Sequence, residues 1–284
     1  MILLKAASGL GLAALAYAGI GAGLKPAERH LASAKPGDPP VVTITARDYM
    51  YDPIPDMPAG VVNVRLHNLG PTFHHAAFFK LGAGKTPADL AAALQKPGPP
   101  PSWAEPVPGP NAPVPGGYSN EIVTLTPGNY VALCFVDTNG GIPHFIKGMV
   151  RGFKVVPSKN NAKEPKPDTH IELFDYNFKF SKPVTAGSHL FHVMNSGPQV
   201  HEIELFQLAP GKKLSDLVTW LLGPMTSAPP AKPLGGIVTM PPGGHALFRA
   251  TMAAGEWAAI CFQPDAKDGK SHFLKGMELQ FSVK

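Results

Sequence analysis

Residues 130–155 read Tyr-Val-Ala-Leu-Cys-Phe-Val-Asp-Thr-Asn-Gly-Gly-Ile-Pro-His-Phe-Ile-Lys-Gly-Met-Val-Arg-Gly-Phe-Lys-Val. Strand-like apolar runs at either end enclose a loop that opens on Cys134, with His144 after nine intervening residues and Met149 after four more. A thiolate, an imidazole and a thioether on one short loop make a soft, asymmetric donor set. Such a set suits copper better than zinc, calcium or magnesium. The chain has two cysteines, and the second, Cys261, is followed by His272 and Met277 in the same order. The run His-Phe-x-Lys-Gly-Met recurs there letter for letter.

The recurrence extends far beyond the loop. At a fixed offset of 127, Asp48-Tyr49 returns as Asp175-Tyr176, Ala59-Gly60 as Ala186-Gly187, and Asn68-x-Gly70-Pro71 as Asn195-x-Gly197-Pro198. Gly84-Lys85, Asp89-Leu90, Gly116-Gly117, Gly128 and Cys134 keep the same offset. One residue is then inserted, and His144/His272, Met149/Met277 and Phe153/Phe281 lie 128 apart. Two units are too few for a solenoid, and each is long enough to close its own core. The expected division is residues 41–157 and 170–284, joined by a polar, proline-containing linker at 158–169.

The duplicated Cys-His-Met loop between strands resembles the cupredoxin (blue copper) family. That family's pattern has a second imidazole upstream, after an Asn-x-Gly turn at the end of a strand. His74 and His201 stand there in the two units, and His75 is set aside because the second unit has Glu202 at that place. The resemblance therefore implies two type 1 copper ions per chain, one held by His74, Cys134, His144 and Met149 and the other by His201, Cys261, His272 and Met277. His30, His67, His170, His189, His192 and His245 have no equivalent in the other unit and read as surface or sandwich residues. The repeated Asp48-Tyr49 and Asp175-Tyr176 read as structural strand ends. A disulfide between the cysteines would have to join two interiors, so it is not expected.

Composition supports an all-β reading. The 284 residues include 33 prolines and 30 glycines, many turns for a chain of this length, while 44% hydrophobic residues suffice for real cores. Residues 41–46, 61–67, 76–81, 121–125 and 130–135 read as strands, and Thr86-Pro87 caps a short helix to about Leu94 with a counterpart at 214–222. The long proline-rich segment 96–115 reads as a rigid surface connection. The expected architecture is two tandem Greek-key, antiparallel cupredoxin-like β-sandwiches, each with a short helix and a long proline-rich loop.

The formal charge is +5, and without the first 34 residues it falls to +3. With no basic stripe, nothing points to nucleic acid. Residues 6–24 carry no charge and precede two small-residue cleavage patterns, so residues 1–34 read as a cleaved signal peptide or an N-terminal anchor. Either places the remainder outside the cytoplasm, in the periplasm or its equivalent. The anchor would be the sole membrane contact.

Two-domain cupredoxins include nitrite reductases and small oxidases, whose patterns add histidines for further copper centres. Leu133 and Ile260 precede the cysteines here, and Phe79 and Phe206 stand five residues after the first ligand histidines, where the reductase pattern has histidine. The reading is an exported, monomeric electron carrier rather than an enzyme, exchanging single electrons with redox partners such as a cytochrome or a copper enzyme. Alternatives are a periplasmic copper-delivery protein and an electron-relay subunit of a copper oxidoreductase. In the family the loop histidine reaches the surface through an apolar patch, for which Phe145, Ile146, Phe273 and Leu274 are candidates.

Overall fold

The structure is a computed structural model that describes residues 37–96, 98–138, 140–224 and 227–284. The segment read as a signal or anchor lies outside the described residues. In the first half, β1 (Val41–Arg47), β2 (Met50–Tyr51), β3 (Met57–Pro58), β4 (Gly60–Asn68) and β5 (Ala77–Leu81) precede helix α1 (Pro87–Ala93). Then come β6 (Ala104–Val107), β7 (Gly109–Pro110), β8 (Tyr118–Leu125), β9 (Gly128–Leu133) and β10 (Val150–Val156). The second half opens with β11 (Thr169–Phe174), β12 (Asn177–Phe180), β13 (Gly187–Asn195) and β14 (His201–Leu208) before α2 (Leu214–Leu222). It closes with β15 (Ala231–Met240), β16 (His245–Met252), β17 (Gly255–Ile260) and β18 (Glu278–Val283).

Local chemistry explains the main elements. Along β4, Val62, Val64 and Leu66 are buried while the residues between them are partly exposed, the period of two of a half-buried strand. Thr86 Oγ1 accepts from the Asp89 amide and the Asp89 carboxylate accepts from the Thr86 amide, a reciprocal cap on α1 with Pro87 behind it.

Each half closes its own apolar core. Ile44, Val64, Phe78, Tyr130 and Phe153 fill the first, and Ile171, Phe191, Ile203, Phe248 and Trp257 the second. Fully burying a side chain of this size contributes about 1.5–3 kcal/mol, so these clusters are the main favourable term in holding the sheets together.

The strands pair less simply than alternation suggests. One five-stranded sheet has the order β3-β10-β9-β5-β6 and another the order β18-β17-β14-β15-β7. Both pack against a single eight-stranded sheet, β12-β11-β13-β16-β8-β4-β1-β2, which runs through both halves. Pairing is not wholly antiparallel: β1 lies parallel to β4, β11 to β13, and β10 to β3. After β1 the chain visits β3 in the opposite sheet before returning, so β1 and β4 are not hairpin partners.

The proline-rich segment also departs from expectation. Residues 108–113 are buried, and β7 pairs with β15 of the other half. The Asn111 side chain donates to the Ile203 carbonyl at 3.3 Å, and the Ala112 amide donates to Glu204 at 3.0 Å. Proline lacks only the amide donor, and a two-residue edge strand can do without it. Among the described residues no helix is long and apolar enough to cross a membrane.

Candidate metal centres

Each Cys-His-Met loop is built by the same backbone bonds. The Phe145 amide donates to the Cys134 carbonyl at 2.8 Å, which folds the loop back onto the strand it left. His144–Lys147 forms one 3-10 turn, ended by Gly148 at φ 105, a left-handed conformation suited to glycine. The Met149 amide then donates to the His144 carbonyl at 3.0 Å and the Cys134 amide to the Met149 carbonyl at 3.3 Å. His272–Lys275, Gly276 and Met277 repeat these bonds around Cys261. Cys134 and Met149 thus share one buried cluster, and Cys261 and Met277 another.

The upstream histidines arrive from the other side. The Asn68 side chain accepts from the Gly70 amide and donates to the Thr72 and Pro113 carbonyls, fixing the turn before His74. A Cβ on Gly70 would lie 2.5 Å from His74 Nε2, so only glycine lets the ring sit there. Asn195 and Gly197 do the same for His201, where the corresponding approach is 2.7 Å.

The structure brings together His74, Cys134 and His144, and separately His201, Cys261 and His272. In the first group the two Nδ1 atoms are 3.2 Å apart and Cys134 Sγ is 3.5 Å from His144 Nδ1. In the second the Nδ1 atoms are 3.0 Å apart, and Cys261 Sγ is 3.5 Å from His272 Nδ1 and 4.0 Å from His201 Nδ1. Donor atoms bound to one small cation at about 2.0–2.3 Å have spacings of this order. Two imidazoles and a thiolate fit copper by type as well as by spacing. Both cysteines are free and buried.

Electrostatics prepare these groups as neutral donors. Burial, and then the neighbouring His74, push His144 down to about 4, and burial with His201 does the same to His272. His74 and His201 are also lowered by burial, against the opposing pull of Asp48 and Asp175. All four rings therefore carry a free lone pair at neutral pH. Burial pushes the Cys134 thiol up to about 12 and the Cys261 thiol well above its ordinary value. Binding a metal would displace the thiol proton.

Sequence reasoning missed the groups that orient the rings. Asp48 Oδ1 accepts from His74 Nε2 at 2.9 Å and Asp175 Oδ1 from His201 Nε2 at 2.8 Å, leaving Nδ1 of each ring to face the other donors. Tyr49 and Tyr176, both at positive φ, set their rings edge-on to His144 and His272 at 5.0 and 5.5 Å. The repeated Asp-Tyr pair is thus part of each site, and its recurrence in both units was the signal. His75 Nε2 accepts from the Phe135 amide at 2.9 Å, and Glu202 Oε1 from the Phe262 amide at 2.8 Å, so both brace the residue after the cysteine.

The loop histidines differ from expectation. His144 and His272 are 1% and 0% exposed, covered by their own loops, and His272 Nε2 is buried without a hydrogen-bond partner. In the same turns Ile146 and Leu274 are each 46% exposed, while Phe145 and Phe273 are buried. The remaining histidines lie apart from both groups. His67 stacks on Tyr118, His189 pairs with Asp168, and His192 sits between His170 and His245; His30 lies outside the described residues.

No family model and no curated protein matches the chain. Among solved structures it is similar to a dithionite-reduced auracyanin from Roseiflexus castenholzii, with 21% identity over 43% of this chain and 100% of that one, at a TM-score of 0.27. Auracyanin A from Chloroflexus aurantiacus, a "blue" copper protein, matches with 15% identity over 42% of this chain and 99% of that one, TM-score 0.30. A copper-containing nitrite reductase from Thermus scotoductus matches with 14% identity over 86% of this chain, which spans 61% of that one, TM-score 0.25. These neighbours are consistent with a cupredoxin family. At such scores they add no weight to a functional argument, which rests on the two donor groups.

Proposed function

We propose that this chain is an exported electron-transfer protein with one type 1 copper site in each of two cupredoxin-like domains, residues 41–157 and 170–284. The observation that carries the reading is the convergence, twice over, of two imidazole Nδ1 atoms and one cysteine Sγ in a buried pocket. Copper bound there supplies a one-electron couple. The protein's part is to hold the donors still. Asp48 and Asp175 fix the ring orientations, the 3-10 turns fix His144 and His272, and the amides of His75 and Val136, or of Glu202 and Gln263, donate to the sulfurs. Met149 and Met277, fully buried beside the cysteines in sequence-equivalent positions, are the proposed thioether donors. Donors held by a rigid framework move little when charge changes, which keeps the energetic cost of electron exchange small.

Leu133 and Ile260, both fully buried, flank the cysteines with apolar side chains, which favours a carrier over the copper enzymes named above. Ile146 and Leu274, exposed in the same turns as the loop histidines, offer small apolar surface patches suited to brief docking with a redox protein. A reductive titration of the copper-loaded protein tests this reading. Uptake of two electrons per chain with fast self-exchange supports it. Tight copper retention with no measurable exchange would instead support delivery.

A further inference from the structure

The eight-stranded sheet carries a histidine patch that neither proposed copper site uses. On β13, Phe191 and Val193 are buried in the core, and His192 between them points to the opposite face, where it is partly exposed. On β16, His245 stands opposite Met194, which makes it the diagonal neighbour of His192 on that outer face. The centroids of the two rings are 5.4 Å apart. His170 of β11, directly opposite His192, adds a third ring at 5.2 Å on the other side. Glu164, in the segment that joins the halves, reaches the same patch, with Oε1 3.2 Å from His245 Nε2. Solvent reaches these groups: the side chains of His245 and Glu164 are 47% and 30% exposed.

The first unit holds something different in this place. At the 127-residue offset His192 corresponds to Arg65, His245 to Tyr118 and Glu164 to Gly37. Arg65 Nε donates to the Asn120 side chain at 3.0 Å, and the guanidinium carbon lies 5.9 Å from the centre of the Tyr118 ring. There the chain supplies its own cation over an aromatic face. The second unit replaces that cation and its ring with two imidazoles and a carboxylate, all donors of lone pairs. The patch is therefore an addition to one unit and not part of the duplicated scaffold.

Two imidazoles and one carboxylate are a donor set for a divalent ion of the zinc class, with water in the fourth position. Donors bound to such an ion at about 2.0–2.2 Å stand about 3–3.5 Å from one another. The 3.2 Å between Glu164 Oε1 and His245 Nε2 is already of that order. His192 comes to the same point by rotation of its side chain, which its place on the solvent side of the sheet permits. Burial and then the two flanking rings hold its pKa below the ordinary value, so the ring is neutral at neutral pH. His170 lies two strand spacings, about 10 Å, from His245 and stays outside the set.

We propose that His192, His245 and Glu164 bind one divalent ion of the zinc class on the outer face of the eight-stranded sheet, at a site separate from both copper centres. Because Glu164 belongs to the segment between the halves, the ion fastens that segment to the second unit. The inference uses none of the residues assigned to copper, so it stands or falls without them. It is tested on the full chain stripped of metal and labelled with nitrogen-15, by NMR of the imidazole nitrogens during titration with zinc. Magnesium, which prefers oxygen donors, is the comparator. Zinc is expected to shift the ring signals of His192 and His245 together to one saturating state, and magnesium to leave them in place. Glu164→Gln is expected to weaken zinc at these rings at least about tenfold. His192→Arg, which installs the first unit's residue, is expected to bind one zinc fewer per chain than the wild type. Ring signals of His192 and His245 that zinc does not move, equal shifts with magnesium, or undiminished zinc content in a folded His192→Arg would each overturn the proposal. The ring signals of the wild type decide the matter even where a variant does not fold.

Discussion

Asp48 stands 26 residues before His74, yet its carboxylate oxygen lies 2.9 Å from the ring nitrogen turned away from the donor cluster. A carboxylate in that place fixes the tautomer and orientation of a ligand ring, and its loss typically weakens metal affinity by about 10- to 100-fold. We expect Asp48→Ala to weaken copper at the first site by that factor and Asp175→Ala to do so at the second, measured by chelator competition. The two sites are not identical in their surroundings. Buried Asp265 takes a short hydrogen bond from the Tyr176 hydroxyl and an ion pair from Lys275 at 3.3 Å. In the first loop the chain is one residue shorter and Asp265 aligns with Thr138. Asp265→Asn is therefore expected to shift the reduction potential of one copper and leave the other in place, as voltammetry would show. At this scale the sequence was legible where residues repeat: the ligand positions and the Asp-Tyr pair were visible at a fixed offset. The role of Asp48 was not, because it depends on a contact between the β1–β2 turn and the β4–β5 loop that no spacing encodes.

Strand β8 carries the molecule's most exposed risk at the level of elements. It joins the halves by pairing Ile122 with Leu247 and Glu121 with Phe248. Glu121 is fully buried with neither carboxyl oxygen hydrogen-bonded, and burial raises its pKa well above 4.5. The sign follows directly. The folded state holds the proton more tightly than the unfolded chain, so this contribution to stability is complete below about pH 4.5 and is lost as pH rises toward the raised value. Tm is therefore expected to fall between about pH 5 and pH 8 in the wild type and to fall less in Glu121→Gln, which keeps the shape without an ionisable proton. An identical pH profile for the two proteins would contradict this account of Glu121. Long strands such as β4 and the capped helix α1 were legible from alternation and from Thr86, Pro87 and Asp89. The two-residue strands were not: β3 and β7 are decided by partners distant in sequence, and β2 is only the short return of a tight turn from β1. β7 in particular is a strand only because β15 of the other half lies beside it.

Across the whole molecule, the 127-residue offset revealed two similar units but not how they join. The eight-stranded sheet is continuous through both, and Ile122, Leu190 and Leu247 form a small core at the seam. A seam of paired backbone and buried apolar side chains couples the halves, so calorimetry is expected to show one cooperative unfolding transition. Leu247→Ala should lower stability by about 2–5 kcal/mol and begin to separate the halves into two transitions. The same arrangement places the donor groups in equivalent positions of the two halves, each buried under its own loop. The central claim is that each half holds one copper through its own thiolate, and it is tested by metal content and visible absorption of four proteins side by side: the wild type, each single cysteine variant and the double variant. The account predicts two coppers and intense thiolate-to-copper absorption in the wild type, and one copper with about half that absorption in Cys134→Ser and in Cys261→Ser. Absorption that survives when both cysteines are replaced, or a wild type that binds copper without it, would contradict the claim.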